Sequence, residues 1–482
     1  MLSQRSGPPK EGLHEVDAGT FNAIANGNTT KWRMQSYFGR LNYNFNEKYL
    51  FEANLRTDGS SRFSDGNRWG IFPAFSLGWR LSEEPFLKDV QAIQNLKLRA
   101  SWGRLGNQNI NGIAGDYPYI QAITQDYGTS YNLGGALVPG AAITNLVDRS
   151  ISWETTESTD IGLDFTLFDG NLSVESDYFT KKTSDILVRL PISQILGGVG
   201  APVENVGEMM NKGFEVALNY QSDPSEHGLN YRIGTNLTYI TNQVTKFRGG
   251  QSPDQLYLIR EGYSYQSLYG FKSIGVFQSN TEALSYMSNN GYKPTAGDLK
   301  YEDVNGDGQL NYLDKQSLGN TIPKFTFGLN IGLSYKNWSL DVVTSGAAGV
   351  NAFTKSAWTQ PLGISGGVVT ERWKNAWTPE NQSNTLPQIK INDTWNRYDS
   401  SFWVSNLSYF KIKNIQLSYS LPESMMSKLK MGSASVYANF QNLPAFVFGD
   451  YEGFDPERNT FDSGGGLYPT PFISSLGINL QF

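Results

Sequence analysis

The sequence has no cysteine and only 2 histidines among its 482 residues. Without cysteine there is no disulfide framework, no thiolate metal site and no cysteine nucleophile. The two histidines, His14 and His227, are far apart in the sequence, which disfavours catalytic schemes built on imidazole. Carboxylates are plentiful, but no pair stands out as a glycosidase acid and base. We therefore expect that the protein is not an enzyme.

The chain also lacks a basic excess and a long apolar run. Its formal net charge of −6 argues against a nucleic-acid partner, which needs a basic face. No stretch approaches the ~18 apolar residues that a transmembrane helix needs. A transmembrane barrel stays compatible with these data, because its strands alternate apolar and polar residues. Residues 1–10 lack the apolar core of a signal peptide, so an exported barrel would need a start upstream of Met1.

Apolar side chains recur at every second position through much of the chain, which is the period of a β-strand. The longest stripe runs from Phe325 to Tyr335. Comparable stripes lie at 37–45, 51–55, 71–81, 96–102, 161–167, 172–178, 214–220, 231–239, 338–342, 415–419, 436–440 and 476–482. The strand segments are predicted to be about 9–11 residues long, the length that a tilted strand needs to cross a bilayer.

Short and long connections alternate between these segments. Turns such as 169–171 and 336–337 are short, whereas the connections 107–150, 185–208, 248–324, 347–408 and 442–473 are long. Outer-membrane barrels have short periplasmic turns and long extracellular loops. We therefore predict an all-β fold, an antiparallel transmembrane β-barrel. The strand-like stretch 269–278 is assigned to the loop 248–324, since one more crossing would move the long loops to the other side.

Thirteen strands are then predicted to cross the membrane, and the chain would begin outside the cell. A bacterial single-chain barrel has an even count, and lipid tolerates no open sheet edge. We therefore interpret residues 1–33 as the remnant of an extracellular loop. Residues 34–482 are interpreted as the C-terminal portion of a larger barrel, with 248–324 and 347–408 as long extracellular loops. The missing front would supply further strands, a signal peptide and any plug.

Residues 303–314 match a calcium-loop pattern, D-x-[DN]-x-[DN]-G with an acid at position 12. The pattern nominates side-chain oxygens of Asp303, Asn305, Asp307 and Asp314 and the backbone carbonyl of Gln309 as ligands of a structural Ca²⁺. The aspartate at position 12 is shorter than the usual glutamate, and no clear helices flank the segment. An ion-free turn rich in Asn, Asp and Gly is the alternative.

Aromatic side chains crowd the long loops and the strand ends. The loop aromatics are Tyr117, Tyr119, Tyr127, Tyr131, Trp358, Trp373, Trp377, Trp395 and Trp403. We favour packing among the loops over stacking on sugar rings or on a partner protein. Those near strand ends are Tyr49, Trp69, Trp153 and Trp338, and they fit either an interfacial girdle or ordinary cross-strand packing.

Several stretches, taken together, resemble one protein family. They are residues 36–43, 48–50, 56–63, 72–80, 98–108, 153–156, 160–165, 205–215, 303–314, 437–443 and 453–457. In combination they resemble the SusC/RagA-like family of TonB-dependent outer-membrane transporters. The resemblance implies a plugged barrel of 22 strands, of which this chain would hold the last thirteen. The N-terminal plug and the first strands would be absent.

The resemblance also implies partners and a location. Family members lie in the lipid bilayer of the cell outer membrane and take up oligosaccharides or peptides together with a SusD-like surface lipoprotein. TonB would act through the missing N-terminal part, so this chain alone is not expected to perform energised transport. A secreted carbohydrate-binding or adhesive β-protein is the alternative, although the alternation of short and long connections disfavours it. A surface hydrolase would need an acid–base pair, and the sequence nominates none.

Overall fold

One large antiparallel sheet dominates the chain. The computed structural model describes residues 30–193, 195, 199–223, 228–249, 256–286, 292–355, 359–362, 369–391, 393–453, 455–457 and 470–481. Its strands are Met34–Phe45 (β1), Tyr49–Ser60 (β2), Trp69–Arg80 (β3), Ile93–Asn107 (β4), Glu154–Leu167 (β5), Leu172–Arg189 (β6), Val203–Gln221 (β7), Leu229–Lys246 (β8), Phe325–Tyr335 (β9), Trp338–Ala348 (β10), Tyr409–Ser420 (β11), Ser433–Gln441 (β12) and Ile473–Gln481 (β13). Each pairs with its neighbour in sequence, and the short strand Phe446–Val447 also pairs with β11. The predicted all-β, antiparallel architecture is confirmed. Most of the predicted remnant 1–33 lies outside the described residues.

The strand register separates an apolar face from a polar face. On β8, Leu237 lies opposite Val216 of β7 and Phe327 of β9. The next residue, Asn236, points to the other side and lies opposite Ala217 and Gly328. The large side chains of the apolar face are exposed, for example Leu41 at 61% and Ile478 at 64%. Such an extended exposed apolar surface indicates contact with something other than water.

Several strands are longer than the 9–11 residues predicted. β6, β7 and β8 have 18, 19 and 18 residues. The prediction counted only the apolar stripes, but backbone pairing continues past them into polar sequence, as at Lys246 and Glu208. The predicted connection 185–208 accordingly narrows to 190–202.

All connections of one kind lie at the same end of the sheet, because consecutive strands are antiparallel. The short-turn end has the connections 46–48, 81–92, 168–171, 222–228, 336–337 and 421–432. The long-loop end has the connections 61–68, 108–153, 190–202, 247–324, 349–408 and 442–472. In the first hairpin Asn46 and Glu47 both take positive φ, 53° and 59°. That pair of conformations matches the right-handed twist of the flanking strands.

The long connections contain secondary structure of their own. They include the helices Asn111–Ala114 (α1) and Asn280–Leu284 (α2), and the strand pairs Thr124–Leu133 with Ala136–Ala142, Ser273–Val276 with Leu299–Tyr301, and Asn351–Phe353 with Val404–Asn406. A three-stranded sheet joins Tyr257–Leu258, Ser267–Phe271 and Lys315–Gly319, and helix Glu423–Leu429 (α3) lies in a short turn. The stretch 269–278 therefore belongs to small loop sheets and not to the large one. No helix in these described ranges has the length and apolar content needed to span a membrane.

Candidate functional site

The two longest loops pack together in their described parts, which we call the loop assembly (the described residues of 256–324 and 349–408). Its two hydrophobic cores are formed by Phe271, Val276, Leu299, Tyr301, Leu310, Trp377 and Trp395, and by Leu268, Phe353, Trp373, Ala376 and Trp403. The exposed fraction is 0% for Trp395 and 2% for Trp403. The prediction that the loop tryptophans pack among themselves is therefore confirmed for these residues, and they are not available to stack on a sugar. Trp358 and the side chain of Tyr127 lie outside the described residues.

Hydrogen bonds join the two loops edge to edge. The Tyr301 hydroxyl donates to the Trp395 carbonyl at 2.9 Å, and the Trp395 indole Nε1 donates to the Leu299 carbonyl at 2.8 Å. The Leu299 backbone N–H donates to Asn396 Oδ1 at 2.7 Å. Burial raises the pKa of the Tyr301 hydroxyl well above its ordinary value, so it stays a neutral donor.

A buried carboxylate lies beside this edge. Asp298 is 0% exposed and accepts hydrogen bonds from Lys390 Nζ at 2.7 Å and Asn396 Nδ2 at 2.9 Å. Asn396 Nδ2 also donates to Asp393 Oδ2 at 2.7 Å. Burial raises the pKa of the Asp393 carboxyl, while its hydrogen bonds from Asn396 act in the opposite direction. This polar node connects residues of both loops and gives the loop assembly a single arrangement.

The predicted calcium loop lies on the surface of the loop assembly. Asp303 accepts from the backbone N–H of Gly306 at 2.7 Å and of Gly308 at 3.0 Å, one on each carboxylate oxygen. Asp307 Oδ1 accepts from the Gln309 N–H at 2.8 Å, and this bond lowers the pKa of the Asp307 carboxyl. Asn305 Oδ1 accepts from the Asp307 N–H at 3.1 Å. The side chains thus fold the turn around their own oxygens.

Asp314 differs from the other predicted ligands because it is fully buried. Its two oxygens accept from the backbone N–H groups of Val304 at 3.0 Å and Asn311 at 2.8 Å, which closes the loop and caps the turn Tyr312–Asp314. Among the described residues, no group of three or more His, Cys, Asp or Glu side chains is placed to hold a metal ion. The oxygen-only donor set suits Ca²⁺ in kind, and the ion itself stays a prediction.

The connections 61–68, 108–153 and 190–202 have a separate core. It contains Phe63, Phe72, Ile110, Ile151, Trp153, Leu187 and Val203. Trp153 is only 6% exposed and donates from Nε1 to the Arg68 carbonyl at 3.0 Å. Of the two alternatives predicted for Trp153, the interfacial girdle is therefore excluded, because its ring packs into a buried core. Tyr49, Trp69 and Trp338 are about half exposed, at 47%, 50% and 50%.

Two bands of aromatic residues border the apolar face. Tyr37 and Phe45 on β1, Tyr231 and Tyr239 on β8, and Phe327 and Tyr335 on β9 are each eight positions apart. At ~3.3 Å per residue the bands are about 26 Å apart along the strand, or about 20 Å in height if the strands are tilted by ~40°. Aromatic rings contact each other across strands in both bands. The ring centroids are 4.8 Å apart in the pair Tyr239–Phe325 and also in the pair Trp338–Tyr419. This spacing fits the apolar belt of a transmembrane barrel.

A carboxylate anchors the band at the short-turn end. Glu84 accepts from the Tyr49 hydroxyl at 2.8 Å, Trp79 Nε1 at 3.0 Å and Lys48 Nζ at 3.2 Å. Hydrogen bonds from Trp79 and Tyr49 hold the pKa of the Glu84 carboxyl below its ordinary value. The polar tips of these aromatic residues thus have partners at the edge of the apolar face.

The polar face is charged over β1–β7. Arg99 on β4 is its centre, with Nη2 at 2.7 Å from Asp164 on β5 and at 2.9 Å from Asp177 on β6. Arg40 on β1 pairs with Glu52 on β2 at 3.2 Å. This arrangement gives that part of the face fixed ion pairs bridging neighbouring strands.

Residues 455–457 belong to one of the stretches that carry the family resemblance, and they contact the large sheet. Lys411 on β11 is buried and lies 2.6 Å from Asp455 and 3.7 Å from Glu457. Lys413 also pairs with Glu457. Burial favours a higher pKa for the Asp455 carboxyl, but the hydrogen bonds from Lys411 and from the Glu457 N–H outweigh it and lower the pKa. These ion pairs attach the connection 442–472 to β11.

The sequence pattern did not predict the ion pairs Lys390–Asp298 and Lys411–Asp455. Both join positions that are far apart in sequence, 92 and 44 residues. No spacing rule connects such positions, although the resemblance had already marked the 453–457 stretch.

A family model described as TonB dependent receptor-like, beta-barrel matches residues 11–443. TonB-dependent receptor P3 of Formosa agariphila is 30% identical over 469 residues, which cover 93% of this chain and 45% of that protein. TonB-dependent receptor SusC of Bacteroides thetaiotaomicron is 29% identical over 474 residues, 94% of this chain and 44% of that protein. The chain thus spans about half the length of these curated relatives.

The fold also matches a solved structure. The structure of the RagAB peptide transporter superposes with a TM-score of 0.77 at 24% identity, covering 98% of this chain and 50% of that one. The likeness shows a shared fold.

Proposed function

Because the chain belongs to the TonB-dependent receptor-like β-barrel family, we propose that it forms the wall and extracellular loops of a nutrient importer in the cell outer membrane. The observation that carries the proposal is the exposed apolar face bordered by two aromatic bands. Water does not favour such a face, whereas a bilayer does. The long-loop end would face the outside and the short-turn end the periplasm.

We further propose that the large sheet is one section of a closed barrel. β1 and β13 are the two edges of the sheet and do not pair with each other in the described part of the chain. Both run from the long-loop end to the short-turn end, so direct pairing would be parallel. An odd number of additional strands restores an antiparallel barrel, and nine would complete 22. The half-length match to the relatives supports a longer polypeptide that also holds a plug.

The partners follow from the same proposal. TonB would act on the plug, and a SusD-like surface lipoprotein would cover the loop assembly from outside. The solute would be an oligosaccharide or a peptide. The well-packed loop assembly supports this, because a rigid surface at the long-loop end suits a partner that docks there repeatedly.

We also propose that residues 303–314 bind Ca²⁺ as a structural ion. Asp303, Asn305, Asp307 and Asp314 would supply side-chain oxygens, and Gln309 its backbone carbonyl. Hydrogen bonds already bend the turn around the oxygens of Asp303, Asn305 and Asp307. Asp314 would have to give up a hydrogen bond from the Val304 or Asn311 N–H to reach the ion. The ion would hold the turn in place and take no part in transport.

The membrane position can be tested with two neighbouring substitutions in the full-length protein. Leu41 lies midway between Tyr37 and Phe45 on the apolar face, and Asn42 is next to it on the polar face. Arginine at the bilayer midplane costs about 2–4 kcal/mol. Leu41→Arg should therefore reduce the heat-resistant folded form in outer-membrane fractions, while Asn42→Arg should not. Equal effects of both substitutions would count against a lipid-facing surface.

Import itself is tested in cells that produce the full-length protein. Deleting the gene should abolish uptake of a nutrient pool, and removing TonB should have the same effect. Uptake that persists without TonB would refute the proposed mechanism.

A further inference from the structure

The polar face changes character between β7 and β8. On β1–β7 it carries ion pairs centred on residues such as Arg99. On the described parts of β8–β13, Arg232 and Asp341 pair with each other at 3.2 Å near the short-turn end. Lys246, Lys411 and Lys413 lie toward the long-loop end and pair with Glu208, Asp455 and Glu457 respectively. Between these charges the face carries amides, hydroxyls, glycines and a few apolar side chains. We call this the amide section.

Three amide side chains form a cluster on β11 and β12. Asn439 on β12 donates from Nδ2 to Asn414 Oδ1 at 2.7 Å and to Gln416 Oε1 at 3.3 Å, both on β11. Asn439 is only 6% exposed, and its Oδ1 has no hydrogen-bond partner among the described residues. A buried acceptor without a donor costs free energy. A donor from outside the described residues would remove that cost.

An aromatic ring lies beside the cluster. Tyr437 is on the polar face two positions before Asn439, and by register it is opposite Gly477 of β13. A Cβ atom added at Gly477 would collide with the Tyr437 ring, so the ring lies directly over the glycine backbone. The glycine therefore leaves room for the ring to lie over the neighbouring strand.

We propose that Tyr437, Asn414, Gln416 and Asn439 form a binding subsite for an uncharged oligosaccharide on the inner wall of the barrel. The inference rests on the proposed function and names the substrate class. Amides offer donors and acceptors that match sugar hydroxyls, and the ring offers an apolar surface to the C–H face of a sugar. The charged residues that border the amide section are already paired, for example Arg232 with Asp341 and Lys413 with Glu457, so a charged peptide would find no unpaired counter-charge among its described residues. A sugar hydroxyl supplies the donor that Asn439 Oδ1 lacks.

The test uses the full-length protein in its own outer membrane during energised uptake. Ser418 lies opposite Tyr437 on the same face, so Ser418→Cys places a thiol next to the subsite in a chain that has no cysteine of its own. Any cysteine elsewhere in the full protein is first replaced. The rate of alkylation by an uncharged maleimide is measured with a pool of malto-, cello- and laminari-oligosaccharides, and separately with a pool of tryptic peptides. Asn42→Cys on the charged part of the polar face is the matched control.

The sugar pool should slow labelling at position 418, and neither pool should change labelling at position 42. Tyr437→Phe should keep the protection. Tyr437→Ala should require about tenfold more sugar, since an aromatic contact contributes ~1.4 kcal/mol. Protection by the peptide pool, by neither pool, or equally in Tyr437→Ala would overturn the subsite.

Uptake of labelled nutrients and its dependence on TonB are followed in the same cells. Lost protection with intact uptake refutes the subsite alone, whereas absent uptake refutes the proposed function.

Discussion

The ammonium nitrogen of Lys390 lies 2.7 Å from Oδ1 of Asp298, a fully buried carboxylate 92 residues away in the sequence. The two residues come from different loops of the loop assembly. Their pairing lets a charge be buried at the junction, because Asn396 and Thr295 supply further donors to the same carboxylate. The junction therefore depends on both loops being in place.

Removing the positive partner should loosen the loop assembly. Lys390→Met leaves the Asp298 carboxylate buried without its counter-ion, which costs about 3 kcal/mol, the low end for a buried pair, since Lys390 is partly exposed. Hydrogen–deuterium exchange should rise in segments 295–301 and 388–398 and stay unchanged in β1–β7. Lys374→Met is the control, because its pair with Glu371 is exposed. Unchanged exchange in Lys390→Met would show that the pair does not hold the loops.

Trp395 should contribute both packing and a hydrogen bond to the same junction. Trp395→Ala empties a fully buried site and should cost about 3–5 kcal/mol of local stability. Trp395→Phe keeps much of the packing but leaves the Leu299 carbonyl without its donor, which should cost about 1–3 kcal/mol. Limited proteolysis of the loops in detergent should rank wild type, Phe and Ala in that order. An equal rate for Phe and Ala would assign the whole effect to the lost hydrogen bond.

Acid should release the last long loop from the wall. The folded pKa of Asp455 is lower than its ordinary value of 3.8. A lowered carboxyl pKa contributes stability that is complete above 3.8 and is lost as the pH falls through the lower folded value. Exchange in segment 443–453 should therefore increase at pH values below 3.8. Asp455→Asn should show faster exchange already at neutral pH and a weaker dependence on acid. Asp65→Asn, at an exposed position, is the control.

Calcium should stabilise the loop assembly if residues 303–314 bind it. At a free Ca²⁺ concentration of 100 times the dissociation constant, binding adds about 2.7 kcal/mol of stability. Proteolysis of the loop should therefore slow with CaCl₂ relative to EDTA. Asp303→Asn combined with Asp307→Asn should remove the difference, and Asp89→Asn at the short-turn end should leave it intact. A calcium effect that survives the double substitution would place the ion elsewhere. No calcium effect in the wild type would support the ion-free turn.

Local pattern was sufficient to predict the antiparallel sheet. The stripe from Phe325 to Tyr335 predicted a strand with one apolar face, because side chains alternate between the two sides of a strand whatever lies far away in sequence. The alternation of short and long connections placed the loops, since consecutive antiparallel strands must turn at opposite ends. The same alternation correctly predicted that the strand-like stretch 269–278 belongs to a loop and not to the large sheet.

The same local pattern could not predict which side chains the tertiary structure would bury. Trp153 was grouped with the exposed strand-end aromatics Tyr49 and Trp338, but it lies in a loop core with Phe63. Its ring contacts Phe63 and Phe72, which lie far from it in the sequence, and no short window contains all three residues.

The sequence by itself determined that this chain forms alternating strands with one apolar face, because that depends on neighbours two residues apart. Only the tertiary structure decided that Lys390 meets Asp298, that Lys411 meets Asp455, and that Tyr437 lies over Gly477. Such contacts depend on strand register and loop packing, which bring distant residues together and are stabilised by many interactions at once.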